Sequence, residues 1–221
     1  MKLPRPLRRG FCALASLLCG AVSAQPAGPV TLLQNVQVFD GRSAVLSGPR
    51  HVLVRGEIIE RISAEPMAAP AGATVVDGQG RTLMPGLIDS HWHTMLAAPS
   101  MAVTLEGDLG YLTLLATAEA RATLMRGFTT VRDLGGPSFA LKRAIDEGVV
   151  PGPRIYPSGA MITITGGHGD FRARHELPRQ LGGPPPLTGA LNASQLADSP
   201  DEVRLRVREQ DARPPLRLAG E

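Results

Sequence analysis

The chain contains few aromatic side chains and little cysteine. Aromatic residues make up 4% of its 221 residues, which argues against a surface on which nucleic-acid bases stack. Both cysteines, Cys12 and Cys19, lie among the first 24 residues. If this segment is removed, the remaining chain has neither a disulfide bond nor a thiolate metal ligand.

The sequence also lacks a strong excess of one charge. The formal net charge is +3, but the first 24 residues contain four basic residues and no acidic one, so 19 basic and 20 acidic residues remain. This near-neutral body gives no reason to expect a nucleic-acid partner. With 43% hydrophobic and 19% charged residues, the composition is typical of a globular protein.

The N-terminal apolar run is too short to span a membrane. Residues 2–9 are rich in positive charge, residues 11–22 are apolar, and Val-Ser-Ala at residues 22–24 offers a small-residue cleavage site. This three-part pattern predicts a signal peptide over residues 1–24, because a membrane helix needs about 20 apolar residues. We therefore expect an exported protein, periplasmic or secreted, that is cleaved near Ala24 and has no stable membrane span.

Residues 25–82 have the pattern of a small β-domain. Short apolar or alternating segments are separated by turn signals such as Asp40-Gly41 and occur at residues 30–39, 51–54, 58–62 and 74–77. Short strands at this spacing predict a β-sandwich or a related roll. We expect this domain to end where the pattern changes, near residue 82.

From residue 83 onward the pattern alternates between strand and helix. Strands are predicted at residues 83–88, 128–133 and 153–159, and helices at 109–126 and 138–147. This order is typical of an α/β fold with a parallel sheet. The apolar character of the first strand agrees with this prediction, because parallel strands are buried on both faces.

The last third of the chain is harder to interpret. The Gly/Pro-rich residues 160–198 predict a long irregular loop. Ser199 and Pro200, with Glu202 three residues after the serine, predict the start of a helix with a capping box. The alternation of apolar and arginine residues over 203–207 would also suit a strand, but the cap favours a helix.

Asp89, His91 and His93 are spaced by two at the end of the first predicted α/β strand. Because side chains alternate along a strand, all three are expected on one face. Two neutral imidazoles suit zinc and similar divalent ions, and Asp89 would orient a histidine or bond the local backbone. Two ordinary loop histidines are the alternative, but active sites of parallel α/β folds gather at this end of the strands.

A few other polar residues are expected to have structural roles. Arg132 and Asp133 follow the second α/β strand and are expected to form a buried pair at the end of the sheet. His51 lies in the β-domain and is expected to be structural, and His175 lies beside arginines in the long loop and is expected to be solvated.

The histidines stand in a longer segment that resembles a known family. Leu-Met-Pro-Gly-Leu-Ile-Asp-Ser-His-Trp-His at residues 83–93 looks like the metal-binding opening of the amidohydrolase superfamily. Further segments similar to that family occur at residues 35–41, 56–62, 127–133, 151–155 and 165–169. The last two resemble the branch with imidazolonepropionase-like and Xaa-Pro or Xaa-Arg dipeptidase-like members.

The resemblance implies a (β/α)₈ barrel in which metal-activated water attacks a C–N bond, usually an amide or cyclic amide. Zinc is the implied metal, often in a binuclear centre, with other divalent ions as alternatives. His91 and His93 match the family's first two ligands, and Asp89 matches the acid that accompanies them. A small molecule or a dipeptide is the implied substrate, and a homo-oligomer is compatible with the family.

His168 is a candidate substrate-binding residue after the third strand. It lies between Gly167 and Gly169, whose flexibility would let its ring reach a substrate carboxylate or carbonyl. The alternative is a loop histidine that is hydrogen-bonded to the backbone.

The sequence departs from the family in length and in ligands. A full (β/α)₈ barrel takes about 250 residues, so residues 83–210 are expected to form an incomplete barrel with the first three strands, followed by an atypical tail at 211–221. The family's lysine on the fourth strand, histidines on the fifth and sixth and aspartate on the eighth have no counterpart. We expect an α/β fold: a partial (β/α)₈ TIM-type barrel preceded by a small β-sandwich.

A frameshift, a premature stop or a misjoined gene model would produce such an N-terminal fragment. Two functions are then consistent with the sequence. The chain is either part of a metal-dependent hydrolase, or an inactive remnant or binding protein that keeps half of a metal site.

Overall fold

The computed structural model describes residues 28–106, 108–172, 175–177, 182–183, 189 and 191–211. The predicted signal peptide and nearly all of the predicted tail lie outside these residues. The chain divides into two compact units, Met1–Met84 and Pro85–Glu221, which are described separately. In the described part, no helix combines the length and the apolar character needed to cross a membrane.

The N-terminal unit is built around one five-stranded sheet. Its strands are β1 (Val30–Val38), β2 (Pro49–Arg55), β3 (Ile58–Ser63), β4 (Thr74–Asp77) and β5 (Thr82–Leu83). The order is β3-β2-β1-β4, and β5 also pairs with β1. The predicted sandwich is not confirmed, because the described residues of this unit form a single sheet.

The central strand β1 pairs with both β4 and β5, and its register is interrupted near its middle. Its pairing with β2 shifts register between Leu33 and Val36, and Asn35 between them has a positive φ of 52°. The first half of β1 pairs in parallel with β4, and its last residues pair in parallel with β5. Leu32 and Val36 are buried on this strand.

The second unit contains a parallel sheet in the order β6-β7-β8. These strands are β6 (Leu87–Trp92), β7 (Phe128–Asp133) and β8 (Arg154–Pro157). Helices α1 (Met101–Glu106) and α2 (Leu109–Met125) lie between the first two strands, and α3 (Phe139–Asp146) lies between the last two. The predicted alternation of parallel strands and helices is therefore confirmed, with the short helix α1 as an addition.

The helices cover the parallel sheet with a small apolar core. Asp108 starts α2 by accepting the N–H of Tyr111 at 3.1 Å, as expected for an N-cap. The buried cluster consists of Met95, Leu112, Ala116, Ala120, Val131, Leu141 and Ile155. Trp92, at the end of β6, packs against this cluster, so the core fixes the strand end that carries the histidines.

The first strand of the parallel sheet begins later than predicted. The prediction placed it at residues 83–88, but Leu83 belongs to β5, where it pairs with Val38. Residues 84–86 separate β5 from β6. Asp89 and His91 lie within β6 and His93 follows it, which agrees with their predicted position at the end of the strand.

The predicted loop at residues 160–198 also contains regular structure. Strands β9 (Met161–Thr163) and β10 (Ser194–Leu196) pair in parallel, although 30 residues separate them in the sequence. Helix α4 (Pro200–Asp211) follows, so the helix prediction for this segment is confirmed and the strand alternative is wrong. Ser199 Oγ accepts the N–H of Glu202 at 3.3 Å, while the Glu202 carboxylate accepts the N–H of Asp198 at 2.7 Å.

Candidate metal site

The two histidines of the His-Trp-His segment lie against each other. His91 is in β6, and His93 follows the last residue of that strand. Their ring centroids are 5.5 Å apart and the ring planes are inclined by 74°. His91 is exposed and His93 is half-buried, so the pair lies at the surface at the carboxyl end of β6.

Asp89 forms a hydrogen bond with the backbone of its own strand. Its Oδ1 accepts the N–H of His91 at 2.9 Å, in a stretch where the β6–β7 pairing shifts register between Asp89 and Trp92. Of the two roles considered for this carboxylate, the structure has it bonding the local main chain.

Asp133, the last residue of β7, joins the strand ends. It is fully buried, and its two oxygens accept the N–H of Thr94 at 3.2 Å and that of Gly135 at 2.9 Å. The predicted pair with Arg132 is wrong, since Arg132 is exposed and donates to the carbonyls of Tyr156 and Pro157. Adjacent side chains on a strand point to opposite faces, which keeps these two apart.

Backbone hydrogen bonds extend this connection to all three strands. The N–H of Leu134 donates to the carbonyl of Trp92 at 2.9 Å, and the N–H of Ser158 donates to the carbonyl of Asp133 at 3.0 Å. These bonds hold the carboxyl ends of β6, β7 and β8 together. Active sites of α/β proteins lie at this end of the sheet.

His168 lies on a separate hydrogen-bonded loop after β9. Its side chain is exposed, and among the described residues no hydrogen bond or ring contact joins it to His91 or His93. A Cβ at Gly167 would overlap Thr163 Oγ1 and lie 3.0 Å from the carbonyl oxygen of Ile164, so this position has no room for a larger residue in the observed conformation. That the flanking glycines let the His168 ring reach a substrate stays a prediction.

The remaining histidines are remote from these groups in the sequence. His51 lies in β2 of the N-terminal unit, and its Nδ1 is buried without a hydrogen-bond partner among the described residues. His175 is exposed. Both placements agree with the structural and solvated roles expected for them.

The imidazole rings of His91 and His93 are close enough to contribute two ligands to a divalent metal ion. Zinc–nitrogen bonds are about 2.0–2.1 Å long, so a 5.5 Å separation of ring centroids is compatible with two imidazoles on one ion. His93 Nδ1 is buried without a hydrogen-bond partner in the described part of the chain. Among those residues, however, no group of three or more His, Cys, Asp or Glu side chains could hold a metal ion. Within the described residues, the two histidines are therefore a pair of potential ligands and do not form a complete metal site.

The sequence placed Asp133 at this end of the sheet but did not identify its hydrogen-bond partners. Its hydrogen bond to Thr94 spans 39 residues, and no local spacing signals such a contact. The available signal was its position at the carboxyl end of a predicted parallel strand, which it shares with the histidines.

Comparison with known proteins identifies relatives of this sequence. The sequence profile of the amidohydrolase family matches residues 82–217. Ochratoxinase from Aspergillus niger is 35% identical over 146 residues, which cover 58% of this chain and 28% of that enzyme.

Solved structures give the same assignment. A prolidase crystallised with N-methylphosphonate-L-proline is 35% identical with a TM-score of 0.70, over 84% of this chain and 44% of that one. A Xaa-Pro dipeptidase with bound methionine is 29% identical with a TM-score of 0.64, over 83% of this chain and 44% of that one. The chain thus spans less than half the length of these relatives.

Proposed function

Because this chain belongs to the amidohydrolase family, we propose that it serves the metal-dependent hydrolysis of C–N bonds in amides or peptides. The observation that carries the proposal is the contact between His91 and His93 at the carboxyl end of β6. These imidazoles are proposed as ligands of a divalent metal, with zinc favoured by the nitrogen donors.

Each residue of the site has a separate task in this reaction. His91 and His93 would hold a divalent ion through their ring nitrogens. Bound there, the ion would act as a Lewis acid and would lower the pKa of a water molecule towards neutrality. Asp89 fixes the main chain at His91, and Asp133 fixes it just after His93 through Thr94. These buried or half-buried carboxylates orient the ligands and are positioning residues.

His168 is proposed to bind the substrate. Its imidazole is exposed on a turn after β9, and a protonated or neutral ring donates a hydrogen bond to a carboxylate or carbonyl oxygen. A prolidase and a Xaa-Pro dipeptidase are among the similar structures, which supports a dipeptide or a related small molecule as the substrate class.

A complete metal centre and the cellular location are also part of the proposal. A binuclear zinc centre needs more ligands than this pair provides, and we propose that they belong to a full (β/α)₈ barrel of which β6, β7 and β8 are the first strands. Export to the periplasm or outside the cell, with cleavage near Ala24, is proposed from the signal-peptide pattern of residues 1–24.

A second candidate is an inactive or metal-binding protein with half a site. The observation that favours it is that the described residues bring together two potential ligands rather than three or more. Two imidazoles alone hold zinc weakly, because structural and catalytic zinc sites use three or four protein ligands.

Zinc content and turnover separate the two candidates. We would dialyse the chain against metal-free buffer, measure bound zinc by mass spectrometry, and assay Ala-Pro hydrolysis with and without added zinc. Retained zinc and zinc-dependent hydrolysis, both lost in His91→Ala and His93→Ala, support the hydrolase. The matched control is His175→Ala, which removes an exposed histidine and should change neither. A chain with no retained zinc and no turnover would be the remnant.

A further inference from the structure

A nearly buried ion pair lies beside the loop that carries His168. The guanidinium of Arg172 donates to both oxygens of Asp170, at 2.8 Å from Nε and 2.6 Å from Nη2. The side chains of Asp170 and Arg172 are only 6% and 10% exposed. The hydrogen bonds from Arg172 hold the pKa of the Asp170 carboxyl well below its usual range, so the carboxylate stays charged.

Asp170 also forms two hydrogen bonds to the backbone of this loop. Asp170 Oδ2 also accepts the N–H of Gly166 at 2.7 Å, and the N–H of Asp170 donates to the carbonyl of Gly167 at 3.0 Å. These two bonds connect residues on either side of His168 across a span of four residues. The chain that carries the imidazole is therefore closed by Asp170 at its base.

A second carboxylate holds the start of the loop. Asp198 accepts both the N–H and the hydroxyl of Thr165 at 2.7 Å, and the N–H of Asp198 donates to Glu202 at the start of α4. The loop therefore cannot shift at its first residue without breaking contacts to a helix.

Two glycines near His168 occupy positions that suit few other residues. Gly166 has a φ of +72°, a conformation that residues with a side chain rarely adopt. A Cβ at Gly169 would lie 3.2 Å from Thr163 Cγ2, which is closer than ordinary contact. The observed backbone path at these two positions therefore favours glycine.

We propose that Asp170, held by Arg172, is the positioning residue that orients His168 for substrate binding. The proposal rests on the proposed function, because it assigns the ion pair to the substrate side of that site. Because of its desolvation cost, a buried ion pair is often no more stabilising than apolar residues of similar volume would be, so its geometric effect on the loop is the better reason for its presence. Arg172 suits this role because its planar guanidinium grips both carboxylate oxygens, whereas lysine offers a point charge.

Backbone hydrogen exchange tests the positioning without any need for turnover. In the full chain, Asp170→Asn and Arg172→Lys should each speed exchange of the peptide at residues 164–172 by about tenfold, because local openings become easier. Asp146→Asn is the matched control, since that carboxylate pairs with Lys142 on α3, and it should leave this peptide unchanged. Unaltered exchange in both loop variants would overturn the proposal.

Kinetics on Ala-Pro test whether the loop acts through His168. Asp170→Asn should raise KM about five- to tenfold and change kcat less than about twofold, as expected when ground-state and transition-state binding are lost equally. In a His168→Ala background the same substitution should not raise KM further, because coupled residues are not additive. Asp170→Glu should recover part of the lost affinity.

The outcomes separate this proposal from the proposed function. An equal KM increase in both backgrounds would mean that Asp170 acts independently of His168, and the proposal would be wrong. A wild-type chain without turnover would count against the proposed function alone, and the exchange measurement would then decide whether Asp170 holds the His168 loop.

Discussion

The buried carboxylate of Asp133 accepts the backbone N–H of Thr94 at a distance of 3.2 Å. Thr94 directly follows His93, so this bond fixes the chain immediately after the second proposed metal ligand. The other oxygen of Asp133 accepts the N–H of Gly135. One carboxylate at the end of β7 thereby sets the path of the chain after two adjacent strands.

Replacing Asp133 with alanine should destabilise the second unit. Two buried N–H groups would lose their acceptor, and each unsatisfied donor costs about 1–3 kcal/mol, so we expect a loss of about 2–6 kcal/mol in the free energy of unfolding. Urea denaturation measures this loss, and zinc affinity should fall with it because His93 is less well oriented.

The matched control for Asp133 is Asp146→Ala on α3, where the carboxylate is exposed and pairs with Lys142. Such surface pairs contribute about 0–1 kcal/mol. Should Asp133→Ala fail to fold, Asp133→Asn retains one carbonyl acceptor and should show an intermediate loss. Equal stability of Asp133→Ala and the control would contradict the role assigned to this carboxylate.

The Asp170–Arg172 pair should make stability depend on acidity. Arg172 lowers the pKa of Asp170 in the folded chain below its ordinary value of 3.8. A carboxyl with a depressed pKa contributes stability that is complete above its unfolded pKa and is lost as the pH falls towards the folded pKa. Wild type should therefore be more stable than Asp170→Asn by a constant amount above about pH 5, and the difference should shrink below the ordinary value of the carboxyl pKa.

Urea denaturation of both proteins at a series of pH values measures this difference. Asp201→Asn is a suitable control, because Asp201 is highly exposed in its pair with Arg204 and should contribute little at any pH. A difference between wild type and Asp170→Asn that stays constant down to acid pH would show that folding does not lower the pKa of Asp170.

Local patterns were sufficient to predict the regular elements of the second unit. Ser199 and Pro200 marked the start of α4, and the Ala/Leu-rich segment marked α2, because caps and helix formers act within a few residues. The spacing of His91 and His93 likewise predicted a shared face, since alternation along a strand is a local property.

Contacts between distant segments were not predictable from those patterns. Leu83 is apolar and adjoins β6 in sequence, yet it pairs with Val38 in the other sheet. Strand β9 pairs with β10 across a Gly/Pro-rich segment, and the short strands carry little periodicity of their own. The hydrogen bond from the N–H of Thr94 to Asp133 was equally unpredictable. Each of these contacts joins residues that are far apart in sequence and depends on the folded path of the chain.

The N-cap residues of α2 and α3 should respond differently to replacement by alanine. Asp108 caps α2 by accepting the N–H of Tyr111, and losing such a cap costs about 1 kcal/mol. Ser138 occupies the same position on α3 without a side-chain cap bond, and its buried Oγ has no hydrogen-bond partner among the described residues. Asp108→Ala should therefore lower the free energy of unfolding, whereas Ser138→Ala should leave it unchanged or raise it, as urea denaturation would measure. A larger loss for Ser138→Ala would contradict this assignment.

Gly86, which precedes β6, should tolerate no larger residue while Thr129 is present. A Cβ at Gly86 would overlap the side chain of Thr129 and lie 2.7 Å from the threonine Cβ. Gly86→Ala should cost about 1–3 kcal/mol through this overlap, as measured by urea denaturation. Gly48→Ala is the control, because its new Cβ would make an ordinary 3.7 Å contact with Arg50.

The overlap at Gly86 should disappear when the threonine side chain is removed. Thr129→Gly alone should cost about 1 kcal/mol, because glycine is unfavourable in a strand. The double variant should be more stable than the sum of the two single losses by at least about 1 kcal/mol, the coupling expected for residues in direct contact. Strictly additive losses would mean that Gly86 is required for its backbone conformation and that the approach of Thr129 does not limit this position. Gly86 directly precedes β6, the strand that carries His91, and Thr129 lies in β7. The coupling free energy between positions 86 and 129 therefore also reports how closely the start of β6 packs against β7.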